Sequence, residues 1–203
     1  MNYVFEIGAN RGQHTRALRE RYPNCFMVVF EPIMTLANDR LNELRAYPDI
    51  IINSMAVDIE NSIKTFNLAE NADWGCSSLY NFREHIHEIW PGRPDFNMTS
   101  KYNVVCIRLD TYIDTFLPKE QPLDEIEYIH IDAQGNDFRV LQSLGNYIHK
   151  VQKGVCEVAK KICLYDNDYN HIDYAKPWLE SHGFKVTVKD DSLGNEADLH
   201  FER

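Results

Sequence analysis

The chain has 203 residues, 44% hydrophobic and 26% charged, and 31 acidic against 21 basic residues leave a net charge of −10. That length encloses one core comfortably, so a single domain over residues 1–203 is expected. The acidic balance repels phosphate backbones and argues against nucleic acid as a partner.

Short apolar runs alternate with helical patterns from the first residues. Tyr3 to Ile7 predicts a strand, Gly12 to Arg21 a helix, Cys25 to Glu31 a second strand, about Thr35 to Arg45 a helix, and Ile50 to Val57 a third strand. A less regular region follows at about 60–125, rich in turn formers and aromatics, with one strand-like run at Asn103 to Leu109. It is expected to be an ordered insertion that builds the substrate side of a site. The alternation then resumes, with strands at Tyr128 to Asp132 and Gly154 to Val158 on either side of a helix at Asp137 to Leu144. A helix at His171 to His182 ends at Gly183, and Phe184 to Lys189 with Ala197 to Phe201 predicts a hairpin around a polar turn at 190–195. Near-continuous apolar strands separated by amphipathic helices mean a sheet covered on both faces, hence parallel strands joined by helical crossovers.

No apolar run approaches the roughly 20 residues that cross a bilayer, and Met1 to Glu6 does not read as a signal peptide. The cysteines (Cys25, Cys76, Cys106, Cys156, Cys163) are odd in number and form no Cys-x-x-Cys pair. Reduced thiols in a cytoplasm are therefore expected, not a disulfide framework or zinc ribbon.

The chemistry concentrates at predicted strand ends. Glu6-Ile7-Gly8-Ala9-Asn10-Arg11-Gly12-Gln13-His14-Thr15 joins the first strand to the first helix, where glycines let a ligand approach the backbone. The spacing is Gly-x-x-x-Gly, which does not make the three-glycine turn that cradles a dinucleotide pyrophosphate. An acid before the first glycine, Glu6, attracts a cation instead. The second strand ends in Glu31, placed to accept hydrogen bonds from two ribose hydroxyls. Glu6, Gly8, Gly12 and Glu31 together describe a ligand with an adenosine and a positive centre, S-adenosylmethionine (SAM). Ala56 and Val57, at the third strand's end, are placed to pack on the adenine. Asp132 and Gln134, at the fourth strand's end, are placed to meet ligand or substrate.

The chain resembles the FkbM-type SAM-dependent methyltransferases. The matching stretches are Glu6–Thr15, Val29-Phe30-Glu31-Pro32, Asn53–Val57, Ser77-Ser78-Leu79, Arg108–Thr111, Ile131–Asp137, Val140–Gly145 and Ala197–Phe201, in family order. Two departures stand out: His130 occupies a position where the family commonly has Lys, and the family usually has a segment before the first strand. The second departure suggests a minimal version, or one domain of a larger protein. The resemblance implies a class I SAM-dependent methyltransferase (Rossmann-like) α/β sandwich: a mostly parallel seven-stranded sheet with an antiparallel C-terminal hairpin. It also implies O-methylation of a sugar, glycan or related hydroxylated acceptor, with Asn10, Thr15 and Pro32 joining the cofactor contacts.

Methyl transfer to a hydroxyl needs alignment and one proton acceptor. Asp132 is the first candidate base, with His85 and His87 in the insertion as rivals. Trp74, Ser77, Ser78 and Glu157 are the candidate substrate contacts, and no metal ligand set is assigned. His85 and His87 would share a face only on a strand, and exposed histidines in a charged segment are the simpler reading. Two alternatives stay open. One is a nicotinamide-dependent oxidoreductase, disfavoured by the missing third glycine. The other is a non-catalytic SAM-binding module of a larger glycan-assembly protein. A homo-oligomer is equally compatible with the sequence.

Overall fold

A computed structural model of the protein describes residues 1–72, 74–93, 96–190 and 194–203. Strands run over Asn2–Ile7 (β1), Phe26–Phe30 (β2), Ile50–Asn53 (β3), Ala56–Val57 (β4), Ser62–Leu68 (β5), Ser100–Ile107 (β6), Glu125–Ile131 (β7), Lys153–Ala159 (β8), Lys185–Asp190 (β9) and Glu196–Glu202 (β10). Helices run over Gln13–Arg21 (α1), Ile86–Ile89 (α2), Leu109–Phe116 (α3), Asp137–Ser143 (α4) and Ile172–Ser181 (α5).

Seven strands form one sheet in the order β3-β2-β1-β7-β8-β10-β9. The first five in that order are parallel, and β10 pairs antiparallel with both β8 and β9. The strand order reverses beside β1, between β2 and β7, and this switch point opens the crevice in which doubly wound sheets bind ligands. The last two strands form as expected, while residues 191–193 of the predicted turn lie outside the described residues.

Alternation along the central strands sorts the two layers. Tyr3, Phe5 and Ile7 join Phe30, Ile129 and Ile131 against α3, α4 and α5, in a cluster that includes Leu109, Val140 and Leu179. Val4, Met27, Val29 and Ile52 face the other way, against Leu18 of α1 and the segment holding Ala37, Leu41 and Leu44. Glu6 shares this second face with Val4, and its β7 neighbour in register is His130.

Three predicted elements differ from those observed. The expected third strand, 50–57, is two strands: after Asn53 the chain leaves the main sheet, and β4 pairs with β6 in a separate three-stranded sheet of order β4-β6-β5. The expected helix at 35–45 is a π-turn over Leu36–Arg40 followed by a 3-10 turn over Asn42–Ala46. The run expected at 103–109 is a longer strand, β6, that stops at Ile107, where Arg108 caps α3. The region at 60–125 therefore carries β5 and β6, which together with β4 make the small sheet.

Candidate active site

The turn between β1 and α1 is shaped by close packing. Gly8 has a left-handed backbone (φ 83°), and a Cβ there would lie 1.9 Å from the Asp132 carbonyl oxygen. The chain passes so close to the end of β7 that only glycine fits. Gly12 (φ 78°) starts α1, and a Cβ there would lie 2.5 Å from the Leu41 side chain. Protein atoms, not a ligand, occupy the space that both glycines leave. Hydrogen bonds tie the turn to β2: the Gly8 and Ala9 amides donate to the Phe30 carbonyl at 2.9 and 3.1 Å.

Glu31 holds the next position. It is 4% exposed, Oε2 accepts from the Asn10 amide and Oε1 from the Ile33 amide, each at 2.7 Å. Burial raises its carboxyl to about 7 against the pull of those two amides, and the Asp132 charge adds to the rise. Each oxygen keeps a second lone pair, the pair of acceptors a ribose diol requires.

Gly8, Asn10, Glu31, Pro32, Ala56, Val57, Asp132 and Gln134 line one cavity, partly open to solvent, at the switch point. Trp74 and Ser77 line it too. Met55, Ala56, Val57 and Phe66 supply an apolar wall. Among the described residues, Glu31 and Asp132 are the only charged side chains in the lining. The donor set fits SAM: an apolar slot for the base, a carboxylate for the diol and a second acid for the cationic end. Three lining residues, Asn10, Trp74 and Gln134, hold left-handed backbone at φ 49°, 60° and 48° without being glycine.

Asp132 follows β7, its amide donating to the Ile7 carbonyl at 2.9 Å. Gln134 Nε2 donates to Asp132 Oδ1. Burial raises the Asp132 carboxyl above its ordinary value, with the Gln134 hydrogen bond opposing. The Tyr165 hydroxyl sits 2.7 Å from Gln134 Oε1 and 3.0 Å from the Cys76 carbonyl, with one proton to share between them. Asn136 Nδ2 donates to the Val57 carbonyl at 2.9 Å, and the Tyr80 hydroxyl meets Asn136 Oδ1 at 3.0 Å, fastening β4 to the β7–α4 loop. Sequence reasoning gave Asn136 and Tyr165 no role. Asn136 stood inside a quoted motif, whereas Tyr165 lies in an irregular loop that carries no pattern.

The remaining predicted residues lie elsewhere. Glu6 is 1% exposed and sits on the α1 face of β1, outside the cavity lining, as do Gly12 and the fully buried Thr15. Burial raises the Glu6 carboxyl to about 8; Thr15 opposes the rise, while the Glu31 and Asp132 charges add to it. Ser78 is fully buried, and its hydroxyl donates to the Gln134 carbonyl at 2.6 Å, so it positions that loop. Glu157 lines a different cavity, on the α1 face, together with His14, His130 and Asp198; Asp132 lines both. Burial and neighbouring acids, Glu196 first, raise Glu157 to about 9. His85 and His87 are exposed at the start of the short α2, where His85 meets Glu84 and Glu88, and neither lines the cofactor cavity.

Among solved structures, the chain is similar to a fibrillarin/NOP5P complex (TM-score 0.50, 14% identity, covering 99% of this chain and 72% of that one). It is also similar to Aeropyrum pernix fibrillarin with natively bound S-adenosyl-L-methionine (0.49, 9%, 98% and 65%). A third similar structure is the precorrin-6y C5,15-methyltransferase of Geobacter metallireducens GS-15 (0.46, 11%, 99% and 80%). The first of these likenesses shows the fold, that of class I methyltransferases. No curated protein matches the chain. The methyltransferase FkbM domain matches residues 6–186, nearly the whole chain. The match decides against the nicotinamide reading, and its family uses SAM. The chain belongs to the FkbM methyltransferase domain family.

Proposed function

We propose that this SAM-dependent methyltransferase methylates a hydroxyl oxygen on a neutral, hydroxyl-rich acceptor such as a sugar or glycan. The observation that carries the reading is the lining around Asp132. Trp74 offers a ring face, Ser77 and Gln134 are neutral polar groups, and no Lys or Arg lines the cavity among the described residues. That set suits stacking and hydrogen bonding to a sugar ring, and the charged side chains in the lining, Glu31 and Asp132, are both acidic, which disfavours an anionic acceptor. The net charge of −10 likewise favours a small molecule or glycan over nucleic acid.

SAM supplies a methyl group already activated on a sulfonium. Glu31 holds the ribose through its two free lone pairs, and Met55, Ala56 and Val57 exclude water from the base. Asp132 accepts the hydroxyl proton, its basicity raised by burial and its orientation fixed by Gln134. Alignment contributes roughly 7–11 kcal/mol, and a positioned base about 10²–10⁴-fold more. We read residues 1–203 as one methyltransferase domain in which 60–125 supplies the acceptor side. It acts in the cytoplasm, alone, as a homo-oligomer or within a larger protein.

The test is transfer from SAM to a panel of neutral oligosaccharides, amines, thiols and RNA, with the methylated atom assigned by NMR. The reading expects an O-methyl product on a neutral acceptor. Asp132→Asn should lower turnover by about 10²–10⁴-fold and leave S-adenosylhomocysteine affinity within a few-fold. Methylation at nitrogen, carbon or RNA, or full turnover by Asp132→Asn, would overturn it.

A further inference from the structure

A second constellation lies on the α1 face of the sheet, beneath the β1–α1 turn. Glu6 of β1 and His130 of β7 are partners in register, so their side chains emerge side by side. His14 comes down on them from the first turn of α1, its ring centroid 4.3 Å from that of His130. One donor atom from each of Glu6, His14 and His130 lies within 4.8 Å of the other two.

Glu6 is 1% exposed, and Thr15 of α1 is set against its carboxyl as a hydrogen-bond donor. The buried Nδ1 of His130 has no hydrogen-bond partner among the described residues. A buried imidazole nitrogen is ordinarily paired, and one left open beside a buried carboxylate and a second imidazole needs an explanation.

We propose that Glu6, His14 and His130 form a binding site for a divalent transition-metal ion of the zinc type. Two imidazoles and one carboxylate are a borderline donor set that suits such an ion and not magnesium or calcium, which take oxygen ligands. Tetrahedral zinc holds its ligands about 3.3 Å apart, given bonds near 2.0–2.1 Å. The site therefore closes by about 1.5 Å at most, and His14, exposed on its helix, is free to move that far. The fourth position would open into the α1-face cavity, which His14 and His130 line together with Asp132, Glu157, Asp198, Arg21 and His200. With three protein ligands and one open position, the site resembles zinc centres that bind water or a small anion, not closed structural ones. The β1–α1 turn lies over it, so the ion would stiffen that turn from below. His130 stands where the resemblance leads one to expect Lys, and that exchange turns a fixed cation into a metal ligand.

The test uses the tag-free full chain, stripped with a chelator and titrated with zinc alone, with bound metal counted by mass spectrometry. One zinc per chain is expected. His14→Ala should weaken binding by about 100-fold or more, because a bidentate remnant holds zinc poorly. His149→Ala, at another exposed histidine, should leave it unchanged. Cobalt(II) should give the visible absorption of a four- or five-coordinate site in the parent and lose it in His14→Ala. Zinc should raise the melting temperature of the parent only. No stoichiometric zinc, or equal binding by His14→Ala with normal melting of the stripped variant, would overturn the proposal. Methyl transfer need not be measured, so this test stands or falls apart from the proposed function.

Discussion

Cofactor affinity should rise about tenfold between pH 6 and pH 8, and Glu31 should account for it. Its carboxyl sits near 7 because burial outweighs the amides of Ile33 and Asn10. A ribose diol donates two hydrogen bonds, so it binds the ionised form and drives the proton off. The ionised fraction climbs from about 0.09 at pH 6 to about 0.9 at pH 8, which is the expected tenfold change in S-adenosylhomocysteine affinity. At pH 7 about half a proton should leave on binding, measurable by calorimetry in buffers of different ionisation enthalpy. Stability in the cofactor-free protein should run the other way. A carboxyl raised in the folded state stabilises fully below its unfolded value, and that contribution is lost as pH rises through the folded value. From 4.5 to about 7 the loss is about 3 kcal/mol for this one group. Glu31→Gln should flatten both profiles and weaken binding at pH 8 by about 10–100-fold, since an amide nitrogen cannot accept from an N–H or a hydroxyl. Affinity flat from pH 6 to pH 8, or a slope that survives in Glu31→Gln, would refute the reasoning.

Other expectations follow from single contacts. Gly8→Ala should cost about 3 kcal/mol or more in urea unfolding, because the new Cβ meets backbone at 1.9 Å. Gly12→Ala should cost about 1–2 kcal/mol, because its obstacles are side chains that can give; the reverse ranking would contradict the packing described. Lys64→Met should destabilise by roughly 3–5 kcal/mol, since it leaves the fully buried Asp58 carboxylate without its ion-pair partner. Calorimetry showing less than about 1 kcal/mol would mean that Asp58 is otherwise compensated. Tyr165→Phe should lower turnover about tenfold with little change in cofactor affinity, since it releases Gln134 and through it Asp132.

The parts of the fold most legible in the sequence were those whose local pattern and tertiary role agree. β1 and β2 are almost wholly apolar because they lie in the middle of a covered sheet, and their runs say so. β5 escaped notice because it is an edge strand of the small sheet. Ile63 is 72% exposed on it and Lys64 reaches back to Asp58, so hydrophobic alternation is blurred. The break after Asn53 was equally hidden, because Ile50 to Val57 stays apolar while the chain changes sheets. Around the cavity, the places of Glu31, Asp132 and Gln134 in its lining were readable from their positions at strand ends. The reason for Gly8 was not, since the sequence shows a missing side chain but not the Asp132 carbonyl that excludes it. Ser78 and Tyr165 act through Gln134, a contact between segments 56 and 31 residues apart that no local pattern encodes.

Asn10, Trp74 and Gln134 carry a practical warning for anyone who engineers this protein. Left-handed backbone at a residue with a side chain costs about 1–2 kcal/mol, and glycine would relieve part of it. A library selected only for heat tolerance will therefore be drawn to these three positions, all of them walls of the switch-point cavity. Its winners would be sturdier proteins with a reshaped, slacker pocket. Improving the catalyst and improving the scaffold are separate campaigns here, and the first should begin by holding those three residues fixed.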